Sequence, residues 1–142
     1  MQIRELMTPG VVSITPDESA ALAARLIARH NVGALPVCSE NGSLLGMVTD
    51  RDIVLRCIAA EEDPAKTPVR HIMSKNCSTV SPEDDIRQAA HLMAGSQIRR
   101  LPVVEGRRVV GMLSLGDLAR SRQWDIEASL ALSEISDNVR RP

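Results

Sequence analysis

Two kinds of apolar spacing alternate along this chain. Gly10-Val11-Val12-Ser13-Ile14 is a short β-prone run, and Ala34-Leu35-Pro36-Val37-Cys38 and Leu44-Leu45-Gly46-Met47-Val48 are two more. Between the first and second runs, Leu22, Leu26 and Ile27 recur at helical spacing and predict a helix to about His30. Thr15-Pro16-Asp17-Glu18 reads as its start, with a hydroxyl cap, a proline in the first position and an acid at the third. Asn31-Val32-Gly33 ends it. Glu40-Asn41-Gly42-Ser43 is a turn of hairpin type, so the runs on either side should pair back on each other. Pro36 lacks an N–H and belongs near a sheet edge or strand end. Thr49-Asp50-Arg51-Asp52 opens a second helix to about Ala60. The predicted order is strand, helix, strand, strand, helix.

The chain then says nearly the same thing again. Ser78-Thr79-Val80 leads into Ser81-Pro82-Glu83-Asp84, a helix to about Gln97, Arg100-Leu101-Pro102-Val103-Val104, a turn at Glu105-Gly106-Arg107, and Val109 to Leu113. Ser114-Leu115-Gly116-Asp117 opens the last helix of this copy. The offset is 66 at Leu35/Leu101 and 65 at Gly46/Gly111, so one residue was lost in a turn. Arg4/Arg70, Met7/Met73, Pro16/Pro82, Ala23/Ala89 and Ala24/Ala90 also match. A repeat of this length is a small subdomain used in tandem, and two such lobes enclose a cleft where a ligand can sit. The expected domains are residues 3–60, a polar, proline-punctuated connector at 61–68, residues 69–121, and a tail at 122–142. In the tail, Trp124, Ile126, Leu130, Ala131 and Ile135 predict a helix ahead of the basic end Arg140-Arg141-Pro142. That helix either packs on its own body or a dimer mate, or docks another protein.

Composition narrows the function. At 142 residues a chain buries about 68–70% of its unfolded surface, enough to fold without staples. Seventeen basic and 18 acidic residues nearly cancel, which argues against a general nucleic-acid or anionic-membrane binder. There is no Phe or Tyr and a single Trp, so platforms for stacking single-stranded nucleic acid are missing too. No signal peptide is visible and no apolar run approaches the ~20 residues of a membrane span, so a cytoplasmic location is expected. Cys38, Cys57 and Cys77 are odd in number and widely spaced, and His30, His71 and His91 are scattered likewise. They form no disulfide framework and no metal pair, and no metal site is expected; Cys38 is the first exception to look for.

Gly46-Met47-Val48-Thr49-Asp50-Arg51-Asp52 and Gly111-Met112-Leu113-Ser114-Leu115-Gly116-Asp117 share one formula: glycine, two apolar residues, a hydroxyl, two variable residues, aspartate. Taken once, Ser/Thr-x-x-Asp is an ordinary capping box that needs no ligand. Taken twice, each time after a strand whose glycine permits close approach, it also fits a nucleotide. A carboxylate can accept from two sugar hydroxyls, while a helix N-terminus and a hydroxyl favour phosphate.

These residues give the chain a specific resemblance. The Leu-Pro-Val…Gly-h-h-Ser/Thr-x-x-Asp series, present in both copies across roughly residues 3–121, resembles a tandem pair of cystathionine β-synthase (CBS) domains, or Bateman module. The resemblance implies an α/β (α+β) fold of two β-α-β-β-α lobes related by a pseudo-twofold axis, plus the C-terminal helix, with adenosyl ligands held in the inter-lobe clefts. It places the ribose on Asp52 and Asp117, with Thr49 and Ser114 as hydroxyl partners. It places the base or phosphate against the residues before Leu-Pro-Val: Val32, Gly33 and Ala34 in one lobe, Ile98, Arg99 and Arg100 in the other. Arg99 and Arg100 can pair with phosphate in forked geometry, or be a solvated pair near a helix end; Gly33 and Ala34 offer no charge. If one site is real and the other vestigial, Arg99 or Arg100 marks the better one. Arg51 is a further phosphate contact or a surface salt-bridge partner.

The expected function is that of short free-standing CBS-pair proteins of the bacterial stress response. Such a module is a regulatory sensor that binds AMP, ADP, ATP, S-adenosylmethionine or NAD(H) and signals through homodimer geometry or an effector protein. The alternative is a structural or interaction protein with empty clefts and both aspartates serving only as caps. No nucleophile–base pair, metal constellation or P-loop is present in the sequence, so an enzyme is not expected.

Overall fold

The structure, a computed structural model, describes residues 1–120 and 132–135. Among the described residues, four strands and four α-helices occur in two similar series, ahead of the helical residues 132–135. The first has α1 (Ala20–His30), β1 (Ala34–Cys38), β2 (Leu44–Thr49) and α2 (Asp50–Ile53); the second has α3 (Ile86–Ser96), β3 (Arg100–Glu105), β4 (Arg108–Ser114) and α4 (Leu115–Ala119). Each strand pair forms its own two-stranded sheet. β1 and β2 run antiparallel, with Ala34 opposite Thr49 and Pro36 opposite Met47, and a bulge between Val37 and Cys38. The mixed α/β class and the hairpins at Gly42 and Gly106 are as the sequence predicts; both glycines have positive φ, the conformation such tight turns require.

Three sequence expectations are corrected. The β-prone run at 10–14 is not a strand: Ile14 alone bridges Val37, in parallel, and Val80 alone bridges Val103 in the second series. Proline explains this. The Ile14 N–H donates to the Pro36 carbonyl (3.1 Å) and the Val80 N–H to the Pro102 carbonyl (3.2 Å). A residue's N–H and C=O point to the same side of a strand, so each proline's missing donor lies on the side where the extra strand would have to pair. Pro36 is therefore mid-strand, but on a side that needs only one bridge.

The second correction concerns helix starts. α1 begins at Ala20 with Ser19 as cap, its hydroxyl accepting from the Leu22 N–H at 3.1 Å, and not at Thr15. In α3 the cap is Asp85, the residue 66 positions on, which accepts from the Arg87 N–H at 2.9 Å. Third, the helix predicted to about Ala60 is α-helical only to Ile53 and runs on as a π-helical turn over Val54–Ile58, where Val54, Leu55 and Ile58 are exposed. Of the predicted tail helix, Trp124, Ile126, Leu130 and Ala131 lie outside the described residues; residues 132–135 are helical and Ile135 is buried.

The Thr15–Glu18 turn has a different use. Its Pro16 carbonyl accepts from the Arg70 N–H (2.9 Å) and its Glu18 carbonyl from the Val69 N–H (2.8 Å), while the Ala20 N–H donates to the Thr67 carbonyl (2.8 Å). The second series repeats all three bonds at the same offset: Arg4 N–H to Pro82 carbonyl (2.9 Å), Ile3 N–H to Asp84 carbonyl (2.9 Å), Ile86 N–H to Met1 carbonyl (3.1 Å). Arg70 also pairs with Asp17 and Arg4 with Glu83. The leading segment of each sequence copy is thus bound by the other copy's helix start.

Compact units therefore do not coincide with sequence copies. One unit comprises Met1–Val11, Ser78–Gly106 and the described part of Val110–Pro142; the other comprises Val12–Cys77 and Arg107–Val109. The first has a core of Ile3, Val80, Ile86, Met93, Leu101, Leu113, Leu118 and neighbours. The second has a core of Ile14, Leu35, Val37, Val48, Ile53, Cys57, Val69, Ile72 and neighbours. Ile3 and its counterpart Val69, both from leading segments, are fully buried. Burying such a side chain is worth about 1.5–3 kcal/mol, so these segments are integral to the cores they enter.

Candidate functional site

In the Val12–Cys77 unit, Thr49 ends β2 in extended conformation and caps α2. Its hydroxyl accepts from the Asp52 N–H at 3.0 Å, and Asp52 Oδ2 accepts from the Thr49 N–H at 2.9 Å. In the other unit Ser114 and Asp117 repeat the arrangement, at 3.1 Å and 2.8 Å. The capping box read from the sequence is therefore present twice. It leaves Oδ1 of each carboxylate outside the cap, and it fixes the carboxylate's orientation. The helices that follow have only four and five residues, so their dipoles are correspondingly short.

The segment before each Leu-Pro-Val is tied to the same motif. The Gly33 carbonyl accepts from the N–H of Asp50, the first residue of α2, at 3.0 Å. The Arg99 carbonyl accepts from the N–H of Leu115, the first residue of α4, at 2.8 Å. Asn31 and Gln97, both left-handed at the ends of α1 and α3, turn the chain into this position. Thr49, Asp52, Val32, Gly33 and Ala34 are thereby gathered at one end of β2, and Ser114, Asp117, Ile98, Arg99 and Arg100 at the corresponding end of β4. Gly33 and Ala34 are buried, Val32 is exposed, and Ile98 packs on the core. Arg99 and Arg100 are exposed, and among the described residues neither guanidinium has an ion-pair partner. Arg51 is likewise exposed and makes no ion pair among the described residues.

Two cations that sequence reasoning passed over touch the acids. Arg56 Nε lies 4.0 Å from Asp52 Oδ1, and its Nη1 donates to the Ile72 carbonyl at 3.2 Å. Arg120 donates directly to Asp117 Oδ1. The signal was available: acid and base at i,i+4 and i,i+3 on a helix face each other.

The motif glycines have a role other than approach to a ligand. A Cβ on Gly46 would lie 2.5 Å from the Ser74 carbonyl oxygen, and one on Gly111 2.7 Å from Met7 Sδ and 3.2 Å from the Thr8 carbonyl oxygen. The leading segments run across the strands here, with Met47 bridging Ser74 and Met112 bridging Thr8. Close approach is needed by the protein's own chain, the Ser74 backbone at Gly46 and chiefly the Met7 side chain at Gly111.

Among the described residues no three His, Cys, Asp or Glu side chains gather to hold a metal ion. Burial pushes the Cys38 and Cys77 thiols above their ordinary range, against a smaller lowering by hydrogen bonds, which from the Ser13 side chain reaches Cys38. Among the described residues no helix is long and apolar enough to cross a membrane.

With this geometry in place, comparison with known proteins is decisive. The CBS domain family model matches residues 3–58 and again residues 69–123. The chain belongs to the CBS domain family. It is 42% identical over 134 residues to the CBS domain-containing protein YhcV of Bacillus subtilis, covering 94% of each chain. It is 34% identical over 117 residues to hypoxic response protein 1 of Mycobacterium tuberculosis, covering 82% of each. The crystal structure of Hypoxic Response Protein I with two coordinated zinc ions is similar with a TM-score of 0.79 and 33% identity, over 84% of this CBS chain and 98% of that one. The CBS domain pair of protein MJ0100, in complex with 5′-methylthioadenosine and S-adenosyl-L-methionine, is similar with a TM-score of 0.77 and 27% identity, over 84% and 94%.

Proposed function

We propose that this CBS pair is a regulatory module that binds an adenosyl ligand at its hydroxyl–acid ends and signals through a second copy of itself or an effector protein. The observation that carries the reading is the hydrogen bond from the first residue of each motif helix to the segment before Leu-Pro-Val. It ties the hydroxyl–acid motif to the segment before Leu-Pro-Val in both series, which supports reading the two as parts of one site. The MJ0100 pair, bound to two adenosyl compounds, supports the ligand class. On this reading Asp52 and Asp117 accept from ribose hydroxyls through Oδ1 and the second lone pair of Oδ2. Thr49 and Ser114 hold those carboxylates in place, and Arg99 or Arg100 takes an anionic tail. Ligands to compare are AMP, ADP, ATP, S-adenosylmethionine and NAD(H). No step of chemistry is assigned; a sensor works by binding two conformations with different affinity. The exposed Val54, Leu55 and Ile58 supply an apolar face for a second copy.

A second reading has its own support. Both aspartates serve as caps and both glycines serve the leading segments, so the glycine, hydroxyl and acid of each motif have a structural use without a ligand. Calorimetric titration of ligand-free protein separates the two readings. Binding that is lost in Asp52→Ala or Asp117→Ala supports the sensor; no binding at millimolar ligand leaves the structural reading.

A further inference from the structure

The two acids are not equally available. Asp52 Oδ1 has Arg56 Nε no closer than 4.0 Å, and Arg56 is anchored elsewhere by the Ile72 carbonyl. Asp117 is more deeply buried, its side chain 8% exposed, and Arg120 donates to its Oδ1 from a side chain 73% exposed. Gly116 lies beside this contact. A Cβ there would lie 3.6 Å from Ser114 Oγ and 4.0 Å from Arg120 Nη1, in ordinary contact, so the guanidinium lies back over the first turn of α4. The corresponding position in the first series is Arg51.

Resting on the adenosyl reading, we propose that Arg120 is the specificity residue of the second site. It closes Asp117 against neutral adenosyl compounds and opens it to those with an anionic tail. A neutral nucleoside must strip Asp117 from Arg120 and leave the guanidinium with water alone. A nucleotide gives Asp117 two ribose hydroxyls and gives Arg120 a phosphate, so the charge pairing is exchanged and not lost. Arg99 and Arg100, one hydrogen bond from the first residue of α4, add cations without ion-pair partners among the described residues. The site at Asp52 has no such gate and should accept neutral and anionic adenosyl compounds alike. The sequence comparison of Gly33-Ala34 with Arg99-Arg100 points to one better phosphate site; Arg120 adds that this site is closed at rest.

The test is calorimetry on ligand-free full-length protein in an Asp52→Asn background, with adenosine and AMP as probes. Arg120 intact should prefer AMP by about tenfold or more. Arg120→Gln should raise adenosine affinity about two- to fivefold, the worth of an exposed ion pair, and lower AMP affinity, so that the preference collapses. Arg120→Lys, which keeps the charge without the fork, should fall between. If Arg120→Gln leaves the AMP-to-adenosine ratio within about twofold of the parent while Asp117→Asn abolishes binding, Arg120 is not the gate and the site reading stands. If neither probe binds any variant, the site reading fails and the gate with it.

Discussion

Gly46→Ala tests most sharply how the leading segments are held. A methyl at Gly46 would lie 2.5 Å from the Ser74 carbonyl oxygen and 3.3 Å from its carbon, both backbone atoms that cannot rotate away. Ordinary contact requires a retreat of about 0.8 Å or more. The same backbone is fixed by two hydrogen bonds, Met47 N–H to Ser74 carbonyl at 2.9 Å and Ser74 N–H to Met47 carbonyl at 2.8 Å. A retreat of that size stretches both to about 3.7 Å, beyond useful range. Two bonds at about 1 kcal/mol each and overpacking strain of about 1–3 kcal/mol give a loss of about 3–5 kcal/mol. Gly111→Ala is the control. Its methyl meets chiefly the Met7 thioether, a flexible side chain, with the Thr8 carbonyl oxygen at 3.2 Å needing only a few tenths of an ångström. That variant should lose about 1 kcal/mol. At roughly 3–4 °C per kcal/mol for this length, thermal unfolding should fall by about 10 °C or more for Gly46→Ala and about 3–4 °C for Gly111→Ala. Urea midpoints with unchanged slopes would confirm a stability effect. If Gly46→Ala matches the parent, or is milder than Gly111→Ala, the segment is not held as described.

Other expectations can be checked with the same protein. Ile3→Ala should cost about 2–5 kcal/mol in urea unfolding, because this fully buried side chain belongs to the core it enters; a loss below about 1 kcal/mol would make the leading segment peripheral. Leu55→Glu should shift the protein toward monomer in light scattering if the exposed Val54–Ile58 face joins two copies; an unchanged mass would remove that face from the interface. Thiol labelling at pH 7 should modify the half-buried Cys77 first, Cys38 more slowly, and the fully buried Cys57 only on unfolding, since burial raises the Cys38 and Cys77 thiols and keeps the reactive thiolate scarce. Asp85 is held below the ordinary carboxylate value, chiefly by the Arg87 backbone N–H. Its stabilisation is therefore complete above the unfolded-state value of about 3.9 and is lost as pH falls through the lower folded value. The stability difference between the parent and Asp85→Asn should shrink only on that acid side; a difference that vanished near neutrality would contradict the assignment.

Much of the candidate site's local geometry was legible in the sequence because its determinants are local. Each Ser/Thr-x-x-Asp capping box spans four residues, as does a hairpin turn, and both boxes and both turns appear where the pattern placed them. Arg99 and Gly33 reached the motif helices because strand pairing brings the start of β1 beside the end of β2, Ala34 opposite Thr49. What local pattern could not show was the exchange of leading segments. Thr15-Pro16-Asp17-Glu18 has every mark of a helix start, yet its carbonyls at Pro16 and Glu18 serve N–H groups of Arg70 and Val69, more than fifty residues away. The same non-local demand explains the motif glycines, which make room for Ser74 and for Met7 and Thr8. The missing first strand follows from Pro36 and Pro102, a signal that was present but was read only as an edge preference.

The central claim is that the two hydroxyl–acid ends hold an adenosyl ligand. Titration calorimetry of ligand-free protein with AMP and S-adenosylmethionine, alongside Asp52→Ala and Asp117→Ala, tests it directly. The account predicts saturable binding in the parent and loss of one binding event in each variant. Each variant should remain folded, since losing a cap costs only about 1 kcal/mol. No heat of binding at millimolar ligand, or binding that survives in both folded variants, would contradict it.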